Sequence, residues 1–209
     1  MFKLDEVTNG QRAAVYSQRQ AYLTNTDDAL MNVFKTHCHK TMGEIYAAAA
    51  GTGTGSDAAN GGLNVEKLRT KALQFFPNIA LDPAELTAAA AAGGPKVQAL
   101  LEGRLDAAIA DKRAQVDAVS PWAFSSFFRY LSLVQTDESW CKHLSRLDLL
   151  KEEMVLQSFT AERDVMETYK EKAAALFATL ADDVRRNTVY SLFIYKPAPG
   201  AAVGGPGPR

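Results

Sequence analysis

Between Trp140 and Lys170 the chain reads WCKHLSRLDLLKEEMVLQSFTAERDVMETYK, and this stretch limits the fold more than any other. Trp140, Leu144, Leu147, Leu150 and Met154 recur at steps of three and four, so they share one face of a helix. Val165, Tyr169, Ala173, Leu176, Phe177, Leu180 and Val184 keep the same spacing farther on. The intervening SFTAERD is too short and too polar for anything but reversal. Two antiparallel helices with a tip between them follow, and their apolar faces need a partner.

The rest of the chain predicts an all-α fold. Residues 1–49 carry one stripe at helical steps, Leu4, Val7, Gln11, Val15, Gln18 and Tyr22, continued by Leu30, Val33, Phe34 and Ile45, and read as one long helix. No Ser, Thr, Asp or Asn cap stands ahead of it at Met1–Leu4, so it reads as cut at its N-terminus. Residues 50–119 read as a loop followed by a small helical insertion. Within it GTGTGSDAANGG, Gly51 to Gly62, is a linker by composition. It lacks the lysine and the strand-to-helix context of a phosphate-binding loop. Leu63, Val65, Leu68, Leu73, Phe75 and Phe76 form an apolar cluster ending at Pro77. Asp82, Pro83 and Glu85 start a short helix, the run from Ala88 to Pro95 stops it, and Val97, Leu100, Leu101, Leu105, Ala108, Ile109 and Val116 stripe the next.

Residues 120–196 hold the hairpin. Ser120-Pro121 predicts the cap of a helix of about 38 residues, roughly 57 Å long at 1.5 Å per residue, running to Gln157. The returning helix spans about Asp164 to Tyr195. Residues 197–209, rich in Pro, Gly and Ala, read as a disordered tail.

Charge and cysteine usage exclude several classes of function. The 23 basic and 24 acidic side chains leave a formal net charge of −1, so no large basic field points to a nucleic-acid partner. No apolar run approaches the ~20 residues of a membrane-spanning helix, and MFKLDEVTNG has no signal-peptide core. Any membrane contact is expected to be peripheral. Cys38 and Cys141 are too few for a disulfide framework. In the triplet His37, Cys38 and His39 adjacent side chains point in different directions on a helix, so no metal site is expected. His143 lies near Ser139 and Asp148, but all three belong to one helix and no second element supplies a pocket, so no catalytic residues are expected. Phe159, an aromatic in a polar turn, either tucks onto its own hairpin or projects to touch another molecule.

Two sets of residues resemble one family. Asp5, Glu6, Val7, Asn9, Gln11, Arg12, Val15, Tyr16 and Arg19 are similar to the start of the long scaffold helix of SecA, the ATP-driven motor of preprotein translocation. Asp137, Trp140, His143, Leu144, Asp148, Leu150, Phe159, Tyr169, Lys170 and Phe177 resemble its two-helix finger. By order alone, residues 50–119 correspond to the helical wing. The resemblance implies that ATP and Mg2+ bind nucleotide-binding domains present in cis or in trans, and that this chain holds no cofactor itself. It implies that Gln11, Arg12, Tyr16 and Arg19 face those domains. Gln157, Ser158 and Phe159 would touch preprotein or the Sec channel, while Trp140, His143, Leu144 and Tyr169 hold the finger's base. It places the protein in bacterial cytoplasm or plastid stroma, peripheral at the inner or thylakoid membrane.

The tip departs from the family's Leu-Arg-Gly-Tyr and Gln-Lys-Asp-Pro pattern. Here Leu156, Gln157, Ser158 and Phe159 precede a proline-free turn one residue longer, and Lys172 replaces a carboxylate, which weakens that contact by inference. A stand-alone helical interaction module descended from the same family is the alternative.

Overall fold

In the computed structural model residues 2–51, 62–157 and 165–196 are described, with side chains from Asp5 to Gly51, Gly62 to Leu156 and Val165 to Lys196. They form seven helices: α1 (Phe2–Thr24), α2 (Asp27–Ala49), α3 (Val65–Phe75), α4 (Pro83–Ala91), α5 (Gly94–Asp117), α6 (Ala123–Gln157) and α7 (Val165–Ile194). The fold is all-α, as the periodicity predicts. Residues group into two compact units, one of 1–26 and 129–188, the other of 27–128 and 189–209.

The single helix expected over residues 1–49 is two. Asn25 and Thr26 leave the helical path, and Asp27 and Asp28 open α2 with acidic side chains, which favour a helix N-terminus. The end of α1 is capped from far along the chain. Arg129 donates from Nε to the Tyr22 carbonyl at 3.0 Å and from a terminal nitrogen to the Asn25 carbonyl at 3.1 Å. A guanidinium on the last carbonyls satisfies groups that a helix end leaves open. Nothing in the local periodicity signals a cap so distant.

In the first unit α1 lies against the hairpin of α6 and α7. Leu147, Leu150, Met154, Tyr169 and Ala173 form one buried cluster, with Val7, Val165 and Leu176 packed on it. Val15, Trp140, Leu180 and Val184 form the next, joined by Leu144 and Phe177. The faces predicted for both arms are the faces buried. Each fully buried Leu, Met or aromatic stabilises by about 1.5–3 kcal/mol, so these clusters dominate the unit's stability. The ion pairs around them, Lys151 with Asp5 at 3.6 Å and Lys172 with Glu153 at 2.7 Å, are part-exposed and contribute little. Lys172, which stands where the family has a carboxylate, makes its pair across the two arms.

The second unit is built on phenylalanine. Phe34 of α2 meets Phe124 at 5.1 Å, Phe128 at 5.3 Å and Phe193 at 6.0 Å, and Phe76 meets Phe193 at 4.9 Å. These spacings suit edge-on and offset ring packing. Ala50 pairs with Leu63 in an isolated antiparallel bridge, closing the ends of the glycine-rich linker. Gly51 and Gly62 flank the closure at φ 73° and 78°, where a side chain would be strained. The predicted cap of α4 forms, with Asp82 accepting from the Ala84 amide at 3.3 Å ahead of Pro83. On α5 the predicted stripe is buried except for half-buried Leu100, together with a residue the pattern does not single out. Lys112 is 3% exposed and donates its ammonium to the Tyr195 carbonyl, just past the end of α7.

The Ser120-Pro121 cap is not what starts α6. Ser120 accepts from the Ala123 amide at 3.1 Å in a turn, Trp122 sits at φ 70°, and the Asp117 carboxylate caps the Phe124 amide at 2.9 Å. The helix has 35 residues rather than 38. The expected tail from residue 197 and most of the linker lie outside the described residues.

Candidate functional site: a joint of three helices

Three helices meet at one side chain, Gln11 of α1, which is 9% exposed. Its Nε2 donates to the Ala173 carbonyl of α7 at 3.0 Å, and its Oε1 lies 2.8 Å from Nε2 of His143 on α6. A carbonyl can only accept, so the amide nitrogen must face Ala173 and the amide oxygen must face the imidazole. His143 therefore carries its proton on Nε2 and donates it. Its Nδ1 is a bare lone pair, buried, with no hydrogen-bond partner among the described residues.

The imidazole is 1% exposed. It lies between Trp140, with ring centroids 5.5 Å apart, and Phe177, at 5.7 Å. Burial, and secondarily the charge of Arg146, push its pKa below the ordinary 6.5, so the ring is neutral at physiological pH. His143 and Asp148 do not act on each other. His143 holds Gln11, while Asp148 is exposed and pairs with Lys151 at 3.7 Å.

The residues expected at the base of the hairpin thus separate into layers. Trp140, His143 and Leu144 adjoin the cluster of Val15, Leu180 and Val184. Tyr169 belongs to the neighbouring cluster, fully buried, and its hydroxyl has no hydrogen-bond partner among the described residues. The four α1 residues grouped by resemblance divide as well. Gln11 turns inward, while Arg12 is exposed and bonds the Asn9 side chain on its own helix at 3.0 Å. Tyr16 is exposed beside Arg19, which forms a two-pronged pair with Asp137 of α6 at 3.0 and 3.3 Å. Tyr16, Arg19, Gln20, Asp137, Trp140 and Cys141 line a shallow hollow, and exposed Leu23, Tyr130 and Val134 lie on the same two helices. Leu23 and Tyr130 are not marked by the periodicity, whereas Trp122, Phe127, Leu131 and Val134 read as an apolar stripe leading into Trp140, of which Trp122 and Val134 are exposed. Tyr130 and Val134 lie four apart, in step with Asp137 and Cys141, which was the available signal.

At the far end of the hairpin Leu149 and Leu156 stand exposed on α6, which ends at Gln157. Ser158 and Phe159 lie outside the described residues. In the second unit Cys38 is buried, which raises its thiol pKa, and His39 pairs with Asp106 at 3.0 Å. Among the described residues no three His, Cys, Asp or Glu side chains gather to hold a metal, and no helix is long and apolar enough to cross a membrane.

Residues 1–196 match the SecA Wing and Scaffold domain. The chain belongs to the SecA family. Its relatives include the protein translocase subunit SecA of Thermosynechococcus vestitus, 33% identical over 198 residues that make up 94% of this chain and 20% of that protein. The SecA subunit of Picosynechococcus sp. is 30% identical over 94% of the chain and 20% of its own length. That of Trichormus variabilis is 29% identical over 97% and 21%. The chain therefore spans about one fifth of the length of these SecA relatives.

Proposed function

We propose that this chain serves as the wing, scaffold and two-helix finger of a SecA-type protein translocation motor. In this reading nucleotide-binding domains, in cis or in trans, bind ATP and Mg2+ and move α1, and the hairpin carries that movement to a preprotein at the Sec channel. The observation that carries the reading is the joint at Gln11. One buried side chain ties α1 to both arms, so α1 cannot shift without dragging α6 and α7 or breaking two buried hydrogen bonds.

The outward side of α1 and α6, with Arg12, Tyr16, Arg19, Leu23, Tyr130 and Val134, is the face that meets the motor domains. Gln157, Ser158 and Phe159 are the residues that meet preprotein or channel. The work takes place in bacterial cytoplasm or plastid stroma, at the inner or thylakoid membrane, through peripheral contact.

The test is a graft. Residues 1–196 replace the matching segment of the Thermosynechococcus vestitus subunit, and ATP-driven uptake of a preprotein into vesicles bearing the Sec channel is measured. The graft should translocate, and Phe159→Ala in it should slow uptake while leaving helical ellipticity unchanged. A folded graft that hydrolyses ATP and moves no preprotein would overturn the proposal. A hairpin unfolded by Phe159→Ala would overturn the tip's role, by showing that Phe159 is tucked.

A further inference from the structure

The bare nitrogen of His143 has a consequence apart from any role in translocation. We infer that the Gln11–His143 pair is an acid-released pin: a proton arriving at Nδ1 of His143 frees α1 from the hairpin while the hairpin itself stays closed.

The geometry supplies the argument. Gln11 and the Ala173 carbonyl fix the tautomer, so the only place a second proton can go is Nδ1. There the new N–H finds no acceptor among the described residues. Among the described residues the neighbouring elements bring no compensating charge to the ring. From α6 the Arg146 guanidinium bears on the ring and opposes a second positive charge. From α1 the ring meets the neutral amide of Gln11, and from α7 it meets Phe177, with Ala173 beyond Gln11. No carboxylate is among these contacts. An imidazolium held here is a buried charge with an unpaired donor, the costly arrangement.

The strain is relieved where the packing is weakest. The arms α6 and α7 hold each other through Leu147, Leu150, Met154, Tyr169, Ala173, Leu180 and Val184. On α1 the buried positions include Thr8 and Gln11 beside Val15 and Tyr22, a half-polar face. Exposed ion pairs such as Arg19 with Asp137 add little to its hold. Opening at α1 admits water to Nδ1 and leaves the apolar contacts between the arms intact.

The sign follows from linkage. A histidine whose folded pKa lies below its ordinary 6.5 binds fewer protons folded than open. The closure of α1 is therefore fully present above about pH 6.5 and weakens as pH falls from there to the folded value. Below that value it changes no further. Within the window one linked proton lowers protection about tenfold per pH unit.

The experiment is hydrogen exchange on the full chain from pH 7.5 to 5.5, read as protection relative to each amide's intrinsic rate. His143→Gln is compared with wild type, since a glutamine amide can still donate to Gln11 and cannot titrate. His39→Gln is the control in the other unit. In wild type and in the control, protection of α1 should fall with acid while that of α6 and α7 holds; in His143→Gln it should stay level. Equal losses in wild type and His143→Gln would overturn the pin, as would constant α1 protection in wild type. Should His143→Gln not fold, 15N shifts of the wild-type imidazole decide. A neutral Nε2–H ring titrating below 6.5 together with α1 protection supports the pin; a ring titrating at or above that value refutes it.

Discussion

Trp122 offers a test in which glycine should outperform alanine at the edge of a helix. It is the only non-glycine described at positive φ, and it sits at 70° immediately before α6 with its side chain 64% exposed. The left-handed conformation costs an L-residue about 1–2 kcal/mol. Against this, roughly a third of the residue is covered, ~70 Å² of the ~200 Å² a tryptophan can bury, which contributes about 1.5–2 kcal/mol at ~25 cal/mol per Å². Trp122→Ala loses that packing and keeps the strain, so it should destabilise by about 1.5 kcal/mol. Trp122→Gly loses the same packing but releases the strain, less part of glycine's greater chain entropy. It should regain about 1 kcal/mol over the alanine variant. Urea unfolding followed by helical ellipticity reads the difference. With a slope of roughly 2–3 kcal/mol per molar, the glycine midpoint should lie about 0.4 M above the alanine midpoint. A glycine midpoint at or below that of alanine would show that the left-handed turn stores no strain, and the reasoning would fail.

Two further substitutions probe packing elsewhere. A Cβ on Gly94 would stand 2.9 Å from the Tyr46 hydroxyl oxygen, the far end of a half-buried side chain that can swing aside, so Gly94→Ala should cost less than about 1 kcal/mol in thermal unfolding, and Tyr46→Phe introduced with it should remove that cost. A double variant no better than Gly94→Ala alone would place the clash elsewhere. Tyr169→Phe removes a buried hydroxyl that has no hydrogen-bond partner among the described residues, so stability should be unchanged or higher by up to about 1 kcal/mol; a loss of about 1 kcal/mol or more would mean the hydroxyl is bonded after all.

The hairpin was legible because its information is local. Trp140, Leu147, Leu150, Met154, Tyr169 and Ala173 stand at helical steps, so each arm's buried face can be read before its partners on α1, Val7 and Val15, are known. The caps of α4 were legible for the same reason. What escaped the pattern depends on groups far away in sequence. The break at Asn25 is held by Arg129, and Thr26-Asp27-Asp28 is a helix start concealed inside a stripe that continues at nearly the same period. Gln11 and Lys112 are polar residues on buried faces, and each is explained by a backbone carbonyl far along the chain. A single-sequence pattern marks such residues as exceptions without naming their partners. The same holds for the division of α1's residues, because the inward turn of Gln11 becomes intelligible only when Ala173 and His143 are found beside it.

That separation along the chain also sets a timetable. Gln11 leaves the ribosome 162 residues ahead of the Ala173 carbonyl it will bond. At ~5–20 residues per second, α1 waits roughly 10–30 s for its partner. Through that interval Val15 has no Leu180 or Val184 to cover it, and the second unit in turn waits for Phe193 to complete its cluster with Phe34 and Phe76. Vectorial synthesis therefore exposes α1 to chaperones, or to another nascent copy, before its own hairpin exists.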